Sequence, residues 1–283
     1  MTGTPLTTPR ITPMTTLLAH EWRRTRGMLG GITGIAVLLQ ILGVVMSLIP
    51  VEAIQTIGVL LMFFVAAGYL TVVLLALAVE YWRSAYGRQG YFTHTIPARG
   101  SAQYGVRLLY GAFVVVAALV VNALLLATPL VVAVSHEKPV GVGLFAYVIG
   151  LGREGLSALP AWAWLLIVAA LVIASWMYLV QYYFAASIGS SGRLASLGVG
   201  GPILVWVVLY LVQQALTFVS IVAVPLGLDP RGQSLRLVSI NYAAAIAGGG
   251  TDVIPFGFIP MLAVLTAVLI WWTARSWNRV SLR

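Results

Sequence analysis

Few residues in this chain could do chemistry, and they stand far apart. The three histidines are His20, His94 and His136, and the carboxylates number only seven. Metal binding needs ligands that converge, and these histidines fall in three different polar segments, so no shared metal site is expected from them. There is no cysteine, which excludes disulfides, thiolate metal sites and cysteine nucleophiles. Neither HExxH nor GxSxG occurs. Ser190–Ser191–Gly192–Arg193 has the composition of a nucleophile loop, but no base is adjacent in sequence, and the stretch reads as a turn. No GxxxxGK[ST] phosphate loop is present, and the single lysine is Lys138, so the chain is not itself an ATPase of that class. What is left is one set of uncharged amides, Gln40, Asn122, Gln181, Gln213 and Gln214, and two charges, Glu80 and Arg107, at the edges of apolar runs.

The elements that must position these residues are membrane spans. Sixty per cent of the 283 residues are apolar and 8% are charged, against roughly 25% charged in soluble domains. The apolar residues come in runs of about 20, the length that crosses a bilayer as a helix. The expected fold is an all-α membrane protein, one transmembrane domain over 1–283, with six transmembrane helices at about 28–49, 57–79, 106–134, 160–186, 197–225 and 255–274. No internal repeat is visible, so an inverted-repeat transporter architecture has no support.

Six spans put both ends on one side. Arg10, Arg23, Arg24, Arg26, Arg83, Arg88, Arg99, Arg107, Arg193, Arg275, Arg279 and Arg283 then share one face, against Lys138, Arg153, Arg231 and Arg236 on the other. The face with twelve of the sixteen is assigned to the cytoplasm, with both termini there. The net charge of +9 is explained by this orientation and needs no nucleic acid. The first span is expected to be retained, since it is longer than a signal-peptide core and no small-x-small site follows.

Ahead of the first span, Thr12 and Pro13 start a helix over 13–27. Met14, Leu17, Leu18 and Trp22 form its apolar stripe, opposite His20, Arg23, Arg24 and Arg26. This is expected to be an interfacial helix, with Trp22 at headgroup level and Arg23, Arg24 and Arg26 facing anionic membrane lipid. On the far side, 135–159 and 226–254 are nearly neutral connections, and INYAAAIAGGG suits a short interfacial or re-entrant helix.

In this frame the span interiors hold no Asp, Glu, Lys or His, the residues that carry coupled ions or protons. Glu80 and Arg107 sit at the cytoplasmic boundary, where Glu80 reads as a boundary residue paired with a nearby arginine, with ion coupling as the alternative role. The amides are either glue between helices or contacts to a substrate in a wet cavity. Gln40, Gln181, Gln213 and Gln214 are the cavity candidates, and the last two point about 100° apart, so one neighbour cannot serve both.

The segment between spans two and three, EYWRSAYGRQGYFTHTIPARGSAQYGVRLLYG, breaks the apolar run with arginines, glycines and a proline. Its Gly90–Tyr91, Ile96–Pro97 and Arg99 resemble the signature of permease subunits of ABC-2 type ATP-binding cassette transporters. There a Gly-Tyr leads through Leu-Pro-x-Ser/Arg into a short helix entering span three. Ile96 stands for the usual Leu, Gln89 for a frequent acid, and Arg107 for a frequent lysine. HEWRRTRG at the start of the chain and the six-span layout are also similar.

The resemblance implies the transmembrane subunit of an exporter in the bacterial cytoplasmic (inner) membrane, multi-pass; relatives handle many substrate classes, and the apolar lining with few charges favours an amphiphilic or hydrophobic substrate. It implies a dimer with a second permease chain, identical or homologous, and separate cytoplasmic ABC ATPase subunits that bind ATP and Mg, this chain holding no cofactor of its own. The segment 80–105 would be the coupling loop, with Arg83, Arg88, Gly90, Tyr91, Ile96, Pro97 and Arg99 docking the ATPase. Independently, Pro97 turns Ile96 away from helix, giving a corner. The alternative function is a non-transporting membrane sensor or assembly subunit that recruits a cytoplasmic partner through the same basic face. Neither reading gives the chain enzymatic activity.

Overall fold

A computed structural model describes residues 14–87, 99–137, 160–229, 236–240, 254–255 and 257–278, with a few positions between 149 and 157. The helices are α1 (Met14–Ser47), α2 (Glu52–Ala85), α3 (Gly100–Glu137), α4 (Ala161–Gly189), α5 (Gly200–Ala223) and α6 (Phe258–Trp277). All six are long and apolar enough to cross a membrane. A 3₁₀ turn, Gly192–Leu197, joins α4 to α5. Three short strands, β1 (Leu226–Asp229), β2 (Arg236–Ser239) and β3 (Ile254–Pro255), precede α6.

Two expectations change. The leader helix 13–27 and the span 28–49 are one element, α1, with no break between them. Gly27, Gly30, Gly31 and Gly34 lie in that stretch, but a helical glycine costs only about 1 kcal/mol, and no proline enforces a stop. The connection 226–254 holds an antiparallel sheet of order β2-β1-β3, with Leu226 opposite Ser239 and Gly227 opposite Pro255. The re-entrant helix expected there falls mostly on 241–250, outside the described residues. The connection between α2 and α3 is also shorter than 80–105, because 80–85 and 100–105 are helical.

The chain forms two compact units, Met1–Leu179 and Val180–Arg283, divided within α4. In the first, α1 and α2 are antiparallel neighbours joined by four residues. Their backbones meet at Gly43 and Gly58: a Cβ on Gly58 would lie 2.6 Å from the Gly43 carbonyl oxygen, so only glycine permits the approach. One face of α2, from Met62 through Ala66, Tyr69, Val73 and Leu77 to Tyr81, is buried at helical spacing against its neighbours.

Helices α1 and α3 run parallel in a fixed register. Glu21 meets Arg107, Thr25 meets Tyr110 and Gln40 meets Leu125, offsets of 86, 85 and 85 residues. The last contact answers a defect in α3. Pro129 lies inside the helix and has no N–H, so the Leu125 carbonyl loses its helical donor. Gln40 Nε2 donates to that oxygen at 2.5 Å and Thr128 Oγ1 at 2.8 Å. In hydrocarbon no water could take this role.

In the second unit α5 packs on α6. Ser220 Oγ donates to Gly257 O at 2.8 Å, and Phe184 meets Trp272 edge-on with centroids 5.7 Å apart. Gly189 and Gly201 touch backbone to backbone, which lets α5 return directly beside the end of α4.

The Gln40 contact predicts non-additive mutations. Gln40→Leu should cost about 1–2 kcal/mol of stability in detergent unfolding. In a Pro129→Ala background, where the helix supplies its own donor, most of that cost should vanish. Equal costs in both backgrounds would disprove the repair role.

Candidate functional site

Four charged side chains of the first unit, Glu21, Arg24, Glu80 and Arg107, meet at one end of the bundle. Glu21 and Thr25 lie one turn apart on α1 and are buried, at 7% and 2% exposure. From α3, Arg107 Nε donates to Glu21 Oε1 at 3.2 Å, and both side chains are at most 10% exposed. Arg24 Nη2 donates to Glu21 Oε2. Arg24 Nε lies 3.0 Å from Glu80 Oε1 on α2. The Arg107 guanidinium also sits 5.5 Å from the Tyr81 ring centroid, a cation–π contact. One turn deeper, the Thr25 and Tyr110 hydroxyls share a hydrogen bond.

Two carboxylates and two guanidiniums thus tie three helices together with no net charge. The helices are long enough to carry this group out of the hydrocarbon. At 1.5 Å per residue α1 and α2, 34 residues each, are about 51 Å long against a core of about 30 Å. A pocket between α1 and α3 opens beside the cluster, lined by Leu17, His20, Glu21, Arg24, Gln103, Val106 and Arg107. Its volume of about 30 Å³ has room for one or two waters and none for an organic substrate. Each carboxylate is matched by a guanidinium, so the chemistry this end offers is cohesion.

Sequence reasoning placed Glu80 at a boundary beside an arginine, and Arg24 is that partner. It did not single out Glu21. The available signal was the pair Glu21 and Arg24, three apart on a helix, with Thr25 on the same face. Of the three arginines expected at the membrane surface, Arg23 and Arg26 are exposed, as is Trp22 at 55%. Arg24 instead turns inward to the two carboxylates.

Of the docking residues, Arg83 and Arg99 are exposed at the ends of α2 and α3. The Arg99 carbonyl accepts the amides of Ala102 and Gln103 at 2.9 and 3.1 Å, starting α3. Arg88, Gly90, Tyr91, Ile96 and Pro97 lie outside the described residues. Of the cavity candidates, Gln40 is buried in the first unit and bonds Leu125. Gln181, Gln213 and Gln214 belong to the second unit, the first buried, the second half-buried and the third exposed.

Comparison with known protein families, with curated proteins and with solved structures finds no match to this chain.

The buried pair predicts a strong asymmetry. Glu21→Ala leaves the Arg107 charge, 4% exposed, without its carboxylate and should cost about 3–5 kcal/mol. Glu21→Leu with Arg107→Met removes both charges and should recover most of that loss in thermal unfolding. A double variant no better than Glu21→Ala would mean that the pair itself is not what is lost.

Proposed function

We propose that this chain is the transmembrane subunit of an ATP-driven transporter of the ABC-2 permease kind, an exporter in a bacterial cytoplasmic membrane. Separate cytoplasmic ATPase subunits bind ATP and Mg, and a second permease chain completes the transporter. The chain supplies the path and receives the force.

One observation carries this reading: the segment 88–98 is flanked by helices whose ends are bound to one another. Arg83 closes α2 and Arg99 precedes α3, both exposed, while Glu80 and Arg107, one turn or two inward, are tied through Arg24 and Glu21 to α1. A push on that segment is therefore delivered to three helices moving as a body, rather than absorbed by one helix end. Interior packing transmits such displacement because close-packed elements shift as units. The resemblance of Gly90–Tyr91, Ile96–Pro97 and Arg99 to the permease signature supplies the identity of the pusher.

Arg23, Arg26 and Trp22 on the outer face of α1 suit contact with anionic lipid beside the docked ATPase. The spans contribute helices without a free ionisable group in the described interior, which fits drive by ATP in a partner more than coupling to an ion gradient.

Reconstitution with an ATPase subunit that co-purifies with the chain is the test. Pro97→Gly with Arg99→Glu should leave membrane insertion intact and lower ATP-driven transport at least about tenfold. Substrate-stimulated ATP hydrolysis at the normal rate in that variant, with normal transport, would overturn the coupling role of the segment.

A further inference from the structure

Helix α5 is the least enclosed of the six, and its polar groups are not scattered. Its hydrogen-bonding side chains are Trp206, Tyr210, Gln213, Gln214, Thr217 and Ser220. At about 100° per residue they fall within an arc of roughly 120°, and every other side chain on the helix is apolar. Ser220 is satisfied by Gly257 of α6. Among the described residues, no hydrogen bond is made by Tyr210 Oη, Trp206 Nε1 or the Gln214 amide, and Gln213 Oε1 is buried without a partner.

The two amides stand 13 and 14 residues into a 24-residue helix, about 20 Å from one end and about 15 Å from the other. That is the middle of a hydrocarbon layer, where an exposed primary amide is costly unless something polar meets it. Trp206 and Tyr210 lie on the same arc toward the 3₁₀-turn end. Tyr182 of α4 packs against Trp206 with centroids 6.2 Å apart and planes 30° apart, and Trp206 against Tyr210 at 5.9 Å and 24°. The three rings form a ladder with successive tilts of 30° and 24°, Trp206 being 37% and Tyr210 48% exposed.

Lipid tails satisfy the rings and not the amides. Gln213 Oε1 is already enclosed, so the amide open to a ligand is that of Gln214, which shares the arc with Trp206 and Tyr210. A slender molecule lying along the arc can satisfy rings and amide together.

We propose that this arc is an intramembrane binding site for planar aromatic amines. The ring system stacks on Trp206 and Tyr210, an amine N–H donates to the exposed Gln214 carbonyl oxygen, and positive charge on the amine is favoured by the ring faces. As a cargo site this rests on the transporter reading, whereas binding itself does not.

The test uses the full chain alone in phosphatidylcholine nanodiscs, without ATP, titrated with ethidium and read by fluorescence anisotropy. Binding should saturate. Trp206→Leu and Gln214→Leu should each weaken it at least about tenfold, and both changes make the span more apolar, so insertion is retained. Trp206→Phe keeps a ring and should stay within about threefold. Dodecyltrimethylammonium, cationic but without ring or N–H, should not displace the dye.

Non-saturable uptake equal in all variants, or displacement by the aliphatic cation, would overturn the site. So would unchanged dye binding in Gln214→Leu with conversion of a dimer to monomers, which would make the arc a seam between subunits. Saturable, variant-sensitive binding without any ATP-driven efflux would leave the site standing and remove only the transporter reading.

Discussion

The parallel register of α1 and α3 is the constraint from which most of the first unit follows. It is pinned at two levels by different chemistry: Glu21 with Arg107 at the charged end, and Gln40 with the Leu125 carbonyl inside the membrane. The offsets differ by a single residue over nearly twenty, so neither helix can slide or rotate without breaking both contacts. Helix α2 then has one available place. The Gly43–Gly58 approach closes it against α1 near the tight connection, Thr33 Oγ1 meets Tyr69 Oη at 2.9 Å midway, and Glu80 reaches Arg24 at the far end.

The two pins differ in what their loss would do. The amide contact repairs a helix that Pro129 has interrupted, so its value depends on the proline and is local. The charged contact holds ions at most 10% exposed, where attraction is strong but so is the cost of removing either charge from water. A buried pair of this kind adds little net stability over apolar packing, but it strongly penalises any arrangement that separates its members. It therefore specifies geometry more than it contributes free energy.

Six spans were legible in the sequence because each is a long apolar run, and the structure has six helices long and apolar enough to cross a membrane. The continuity of α1 was not legible, because a basic amphipathic stretch followed by four glycines reads as an interfacial helix and then a span. What decides the outcome is burial of Glu21 and Thr25 against α3, a tertiary effect with no local signature. Glu21 itself was hidden by its neighbours: among four charged residues and a tryptophan it looks like a surface acid. The repair of Leu125 by Gln40 was half visible, as an amide in a span that reads as glue. Its target required knowing that residues 85 apart are side by side. The strands were invisible because their segments are four residues or shorter and carry no sustained alternation.

The two units differ in how far their polar groups are enclosed. In the first, Gln40, Thr25, Tyr110, Glu21 and Arg107 turn toward one another, and even the amide oxygens without a partner among the described residues, Gln40 Oε1 and Asn122 Oδ1, are enclosed. In the second, α5 directs Tyr210 and Gln214 outward at bilayer depth. Selection for stability alone would replace Gln214 with leucine, since a lone exposed amide in hydrocarbon is unfavourable. A polar arc confined to one side of one helix, beside a ladder of three rings, is the pattern of a surface that something else completes. The first unit accordingly spends its polar groups on internal cohesion, and the second leaves Tyr210 and Gln214 for an external contact.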